Sequence, residues 1–121
     1  MDKTIFVVDD NATNLLVTKN ALQGDYTVVT VSSGKKALVL LDKIRPDLIL
    51  LDIDMPEMDG FEVMLNLKTS ENYADIPVIF LTGLRDEGIE ERGRQMGAVD
   101  FITKPFSPPI LLERVLFNLP D

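Results

Sequence analysis

Cysteine and histidine are both absent from this 121-residue chain. Without cysteine there is no disulfide, no thiolate nucleophile and no cysteine-ligated zinc. Without histidine there is no serine–histidine catalytic pair, no imidazole metal ligand and no phosphohistidine carrier. Cations are scarce too. Twelve Lys and Arg stand against 20 Asp and Glu, giving a formal net charge of -8. A chain of that sign is repelled by the phosphates of nucleic acid and by an anionic membrane surface, so neither is an expected partner. Long apolar runs are missing, and residues 1–20 lack a signal-peptide core, so the expectation is a cytoplasmic protein. The length fits one domain over residues 1–121, and 45% hydrophobic with 26% charged residues is ordinary for a soluble globular protein. Solubility alone accounts for much of the acidity.

What is present is an alternation of short apolar runs with longer mixed segments. Thr4–Val8, Tyr26–Val31, Leu48–Leu51, Pro77–Leu81 and Val99–Thr103 read as strands. Leu48–Leu51 is apolar throughout, as in a central strand covered on both faces. Helices are expected over Asn14–Gln23, Ser33–Ile44, Phe61–Ser70, Asp86–Met96 and Ile110–Leu119. The first has Leu15 and Leu22 one heptad apart. The second has Ala37, Leu38, Leu41 and Ile44 on one face, and the third groups Phe61, Met64, Leu65 and Lys68. Ser107-Pro108-Pro109 is a helix opening, because serine caps free amides and proline suits the first turn. Five β-α units with short connections require parallel strands, right-handed crossovers and helices on both sheet faces.

Such sheets bind ligands at the carboxyl ends of their strands. Here the first strand runs into Asp9-Asp10, the third into Asp52 with Asp54 two residues on, the fourth into Thr82 and the fifth into Lys104-Pro105. Clustered carboxylates repel unless a cation joins them. Each residue also has a plain structural reading. Asp9 or Asp10 would serve as N-caps of the first helix. Asp52 and Lys104 would be surface residues, and Thr82 a strand-end cap. Convergence of four strand ends on one rim favours a metal-binding, acidic site over those separate explanations.

At this point the chain resembles the receiver domain of bacterial two-component response regulators. The residues that carry the resemblance are Asp9-Asp10, Asp52 in LILLDIDMPEMDG, Thr82 in VIFLTG and Lys104-Pro105 in FITKPF, and the likeness runs from Met1 to about Leu119. It implies a flavodoxin-like, doubly wound α/β fold: a five-stranded parallel sheet in the order 2-1-3-4-5 with five helices. It implies that Asp52 accepts a phosphoryl group from the phosphohistidine of a sensor histidine kinase, with small acyl phosphates as further donors. Two anions approach only when their charge is neutralised, which calls for Mg2+ (or Mn2+). The resemblance assigns that ion to Asp9, Asp10, Asp52 and the backbone carbonyl of Asp54. Lys104 and Thr82 would contact the transferred group, and Gly83 would leave room for a backbone amide to approach. The Lys104-Pro105 bond would be cis. Phe101 takes the place of an aromatic switch at which many relatives carry tyrosine. Asp54 and Leu84 would flank the path of an attacking water and set the lifetime of the phosphoryl group. The role is that of a signalling switch and phosphoacceptor, not of a turnover enzyme.

Two helices stand out. Asp86–Met96 carries Gly88 and Gly93 and a thin stripe of Ile89 and Met96, so little area anchors it and it should be the easiest element to shift. The last helix has the reverse excess: Ile110, Leu111, Leu112, Val115, Leu116, Phe117 and Leu119 cannot all face one sheet. A homodimer through the fourth helix, fifth strand and fifth helix, or an output domain outside this sequence, would cover the remainder. FITKPFSPPILLERV is similar to receivers joined to cyclic-dinucleotide enzymes. The rival readings are a haloacid-dehalogenase-type phosphatase using Asp52 and Asp54, a flavodoxin-like cofactor binder, and a degenerate receiver that only docks. The first lacks its later acidic pair. The second would place acidic Asp9-Asp10-Asn11 where a phosphate cradle belongs.

Overall fold

The computed structural model describes residues 2–83 and 87–119. Strands β1 (Thr4–Val8), β2 (Thr27–Val31), β3 (Leu48–Asp52), β4 (Val78–Thr82) and β5 (Asp100–Thr103) alternate with helices α1 (Ala12–Leu22), α2 (Gly34–Leu40), α3 (Gly60–Lys68), α4 (Glu87–Gln95) and α5 (Pro108–Asn118). The strands form one parallel sheet in the order β2-β1-β3-β4-β5. The chain therefore starts in the interior of the sheet, moves to one edge, and returns to build the other half. The β1/β3 junction is where the winding reverses, the place where such sheets open a crevice.

The central strands are apolar at every position because both of their faces are covered. Phe6, Val8, Ile49, Leu51, Val78 and Phe80 point to one face, where α2, α3 and α4 lie. Ile5, Val7, Leu48, Leu50, Ile79 and Leu81 point to the other, where Leu22 of α1 and Leu111 and Val115 of α5 cover them. No helix among the described residues is long and apolar enough to cross a membrane.

Helix boundaries differ from the sequence expectation in instructive ways. The first helix starts at Ala12, and Asn11 rather than Asp9 or Asp10 is its N-cap, accepting the Asn14 amide at 3.0 Å. The second ends at Leu40, so Leu41 and Ile44 extend the apolar spacing from a turn rather than from helix. Leu65 points outward at 57% exposed, while Val63 and Leu67 take the buried places. The apolar excess of α5 is as expected: Ile110 is 50% exposed, Leu116 70% and Phe117 83%.

Candidate functional site

Register fixes the site. Val8 pairs with Leu51, Asp52 with Leu81 and Thr82 with Thr103, so Asp9, Asp52, Thr82 and Lys104 emerge at nearly one level of the sheet. Asp9, Asp52 and Thr82 are buried, Lys104 is half-buried and Asp10 is exposed. One carboxylate oxygen each from Asp9, Asp10 and Asp52 lies within 4.8 Å of the others. An all-oxygen set of three carboxylates suits a hard divalent cation that keeps some of its water.

Lys104 reaches into this cluster. Its ammonium donates to Asp9 Oδ2 at 2.8 Å and to Asp52 Oδ1 at 3.1 Å. The other Asp9 oxygen accepts the Asn11 amide at 2.9 Å. Asp9 is thus held by two donors and in turn holds the lysine. Lys104 itself is aimed by its backbone, whose amide donates to the Thr82 carbonyl at 2.8 Å, and its bond to Pro105 is cis.

Electrostatics follow from the geometry. Asp52 is pushed up to about 6, first by burial and then by the Asp9 charge, with Lys104 opposing and Asp10 adding a little. Burial pulls Lys104 down, but the Asp9 hydrogen bond and the Asp52 and Asp9 charges outweigh it, so its net direction is upward. Three carboxylates facing one ammonium leave the site with surplus negative charge.

Gly60 sets the floor beneath Asp52. A Cβ there would sit 2.5 Å from the Asp52 carbonyl oxygen and 2.7 Å from Ile53 Cα, so only glycine lets α3 begin this close to the end of β3. The Asp59–Glu62 capping box fixes that start. By contrast, a Cβ at Gly83 would meet open space. Asp54 is exposed on the loop after β3, and Leu84 lies outside the described residues.

Phe101 is partly buried and packs on Phe80, their centroids 5.4 Å apart, with Phe61 on the far side of Phe80 at 5.5 Å. A Cβ on Gly93 would fall 2.2 Å from Phe101 Cζ. The glycine that looks like a weakness of α4 is therefore what lets the helix lie over this ring. Arg92 stacks its guanidinium 4.1 Å from the Phe61 centroid, and Arg94 lies 5.6 Å from that of Phe101. Nothing in the sequence singles out these arginines, because stacking on a ring from another element leaves no local signal.

Residues 5–116 match the family model described as the response regulator receiver domain. The chain belongs to that family. Among curated relatives, this receiver is 38% identical to the polar-differentiation response regulator DivK of Brucella ovis, covering 100% of this chain and 99% of that one. It is 44% identical, over 96% of its own length, to a Vibrio cholerae protein named "Probable cyclic di-GMP phosphodiesterase", but spans only 26% of that relative. Its structure is similar to that of the chemotaxis protein CheY4 of Vibrio cholerae, with a TM-score of 0.93, 30% identity, and 98% and 100% of the two chains covered. The five-strand order seen here is thus that of a CheY-like receiver, and the protein is a module of response-regulator signalling.

Proposed function

We propose that this receiver accepts a phosphoryl group on Asp52 from the phosphohistidine of a sensor histidine kinase, with Mg2+ or Mn2+ as cofactor. The observation that carries the reading is the bridge of Lys104 between Asp9 and Asp52, inside a cluster whose carboxylate oxygens lie within 4.8 Å. Asp10, Asp52 and Asp9 would hold the ion, with the Asp54 carbonyl as a further ligand. When bound, the ion supplies positive charge that offsets the repulsion between carboxylate and phosphoryl oxygens.

The residues of the chain do the rest. An Asp52 carboxylate oxygen forms the new P–O bond while the P–N bond to the kinase imidazole breaks. The imidazole keeps that electron pair and takes up a proton. Asp52 needs no base to become a nucleophile, since a group titrating near 6 is mostly ionised at neutral pH. Lys104, freed from one of its two carboxylate partners, is placed to pair with a phosphoryl oxygen, and the Thr82 hydroxyl donates to another. Catalysis is positioning plus charge, as expected for phosphoryl transfer. Asp54 and Leu84 then govern how readily water removes the group.

The phosphatase rival fares less well. Its general acid would be Asp54, which is exposed at the loop surface, whereas the Lys104 ammonium bridges Asp9 and Asp52. Intact-mass spectrometry after incubation with acetyl phosphate and Mg2+ tests the proposal. One phosphoryl group should add to the wild-type chain and none to Asp52→Asn. Equal labelling of the variant, or continuous turnover of an aryl phosphate, would replace this reading with the enzyme.

A further inference from the structure

We propose that the groove between β2 and α2 is a docking site for an extended, acidic and apolar peptide segment of a partner protein. The groove has a volume of about 710 Å3. Its floor is apolar, made by Val31, Val39 and Leu40, and Val39 is 61% exposed there. Its rim is cationic, made by Lys35, Lys36 and Lys43.

That rim is unusual in a chain of net charge -8. Among the described residues none of the three lysines is in an ion pair. Lys36 makes only a long contact to the Ser32 hydroxyl at 3.3 Å. Asp42 is the one acid between Lys35 and Arg45, and it accepts the Tyr73 hydroxyl at 2.6 Å. Arg45 is itself paired with Asp75. Only Glu57, at the far margin, brings a negative charge to the groove. The three ammoniums thus face solvent over an apolar floor, and complementary charge is what they lack.

Shape selects the occupant. Lys36 lies in the first turn of α2 and Lys43 in the turn beyond its end at Leu40, so the two flank a helix of 7 residues, about 10 Å long. One phosphate or carboxylate cannot touch both, whereas carboxylates spaced along an extended segment do so. An extended segment also matches the neighbouring backbone. Among the described residues β2 is the outermost strand and pairs with β1 alone, so its outer edge is open to a further strand. Acidic and apolar side chains that share one face of that segment, at every second position, would then reach the lysines and Val39 and Leu40 together.

The groove is continuous with the loop after Asp52. A smaller cavity of about 170 Å3 shares Ser33, Lys35 and Glu57 with it and adds Pro56 and Met58. The docking surface is nonetheless independent of phosphoryl chemistry and stands or falls by itself.

The test is an NMR titration of the isotope-labelled chain with a ten-residue peptide in which every second position carries Glu or Leu in turn and the positions between carry Thr or Ser. Amide shifts should saturate and stay within residues 30–43 and around Glu57. The double variant Lys36→Glu, Lys43→Glu should weaken binding at least tenfold. Val39→Ser should weaken it independently, which separates the apolar floor from the charge. All three positions are exposed, so the variants keep the fold, and their unperturbed spectra elsewhere confirm that. A peptide with Lys in place of the acids should not bind. Unsaturable shifts, shifts on other faces, or binding that survives the double variant would overturn the proposal. So would co-sedimentation with phosphatidylglycerol vesicles in preference to the peptide, or self-association that the double variant abolishes.

Discussion

Asp52→Asn should stabilise the metal-free receiver at neutral pH, although it removes one partner of an ion pair. The carboxylate ordinarily titrates at 3.8 and is raised to about 6 in the fold, so its charged form is disfavoured there. At roughly 1.4 kcal/mol per unit the upper bound is about 3 kcal/mol. Water at the sheet rim screens the site, and about 1–2 kcal/mol is the reasonable expectation. The sign follows from linkage. Below pH 3.8 the group is neutral in both the folded and the unfolded chain, and no penalty exists. As pH rises from about 4 to 6 the unfolded chain ionises first, stability is lost, and the penalty is complete above pH 6. Asparagine keeps the shape without the charge, and Lys104 keeps Asp9 at 2.8 Å. In EDTA at pH 7.5 the variant should therefore melt about 4–8 °C above the wild type, and near pH 3.5 the two should coincide. Added Mg2+ should raise the wild type by about 2.7 kcal/mol at a hundredfold excess over its Kd and leave the variant nearly unmoved. Thermal and urea denaturation across that pH range, with and without Mg2+, measures all of this. A variant less stable than wild type in EDTA at pH 7.5, or a difference that does not vary with pH, would refute the reasoning.

Three further outcomes follow from the packing. Gly93→Ala gains about 1 kcal/mol of helix propensity but overpacks Phe101, so it should destabilise by about 1–2 kcal/mol net and shift the Phe101 ring resonances; a net gain would place α4 farther from the ring. Asp100 is buried and holds Arg114 at 2.7 Å, Asn118 at 3.0 Å and the Phe101 amide at 2.8 Å. Burial raises it, but those bonds together hold it below the usual carboxylate range, so its stabilisation is present above about pH 4 and lost as pH falls further. Asp100→Ala should cost about 2–3 kcal/mol at pH 7 and progressively less as the pH falls below about 4, read by urea denaturation. Finally, hydrogen exchange should open α4 before α3, because α3 buries Phe61, Val63, Met64 and Leu67 whereas among the described residues of α4 only Gly93 is buried; equal protection would show that the Arg92 and Arg94 stacks suffice to anchor it.

The strand ends were legible in the sequence because a carboxylate after four apolar residues has one sensible place in a parallel sheet. That reading places Asp9 and Asp52 on one rim, and the ends of the fourth and fifth strands add Thr82 and Lys104 to it. Helix starts were less legible. Asp9, Asp10 and Asn11 are all capping residues, and the choice among them is tertiary: Asp9 is committed to Lys104, which arrives from 95 positions away. The second helix was read too long because Leu41 and Ile44 continue its spacing from a turn, where burial rather than hydrogen bonding sets the pattern. Leu65 shows the converse, an apolar residue on a helical stripe that the neighbouring strand never reaches. Gly93 was read only through propensity, since nothing local reveals that an aromatic ring from β5 occupies the space a methyl would need. The lysine rim was invisible for a related reason: its meaning depends on a groove that β2 and α2 form only once folded.

The most direct test of the acidic rim as a cation-dependent phosphoacceptor is paramagnetic broadening by Mn2+ of the isotope-labelled protein. One ion should bleach the amides around Asp9, Asp10 and Asp52, Asp10→Asn should weaken that effect at least tenfold, and the same variant should slow phosphoryl gain from acetyl phosphate in parallel. Broadening centred elsewhere, or phosphoryl gain that proceeds equally in EDTA, would contradict the account.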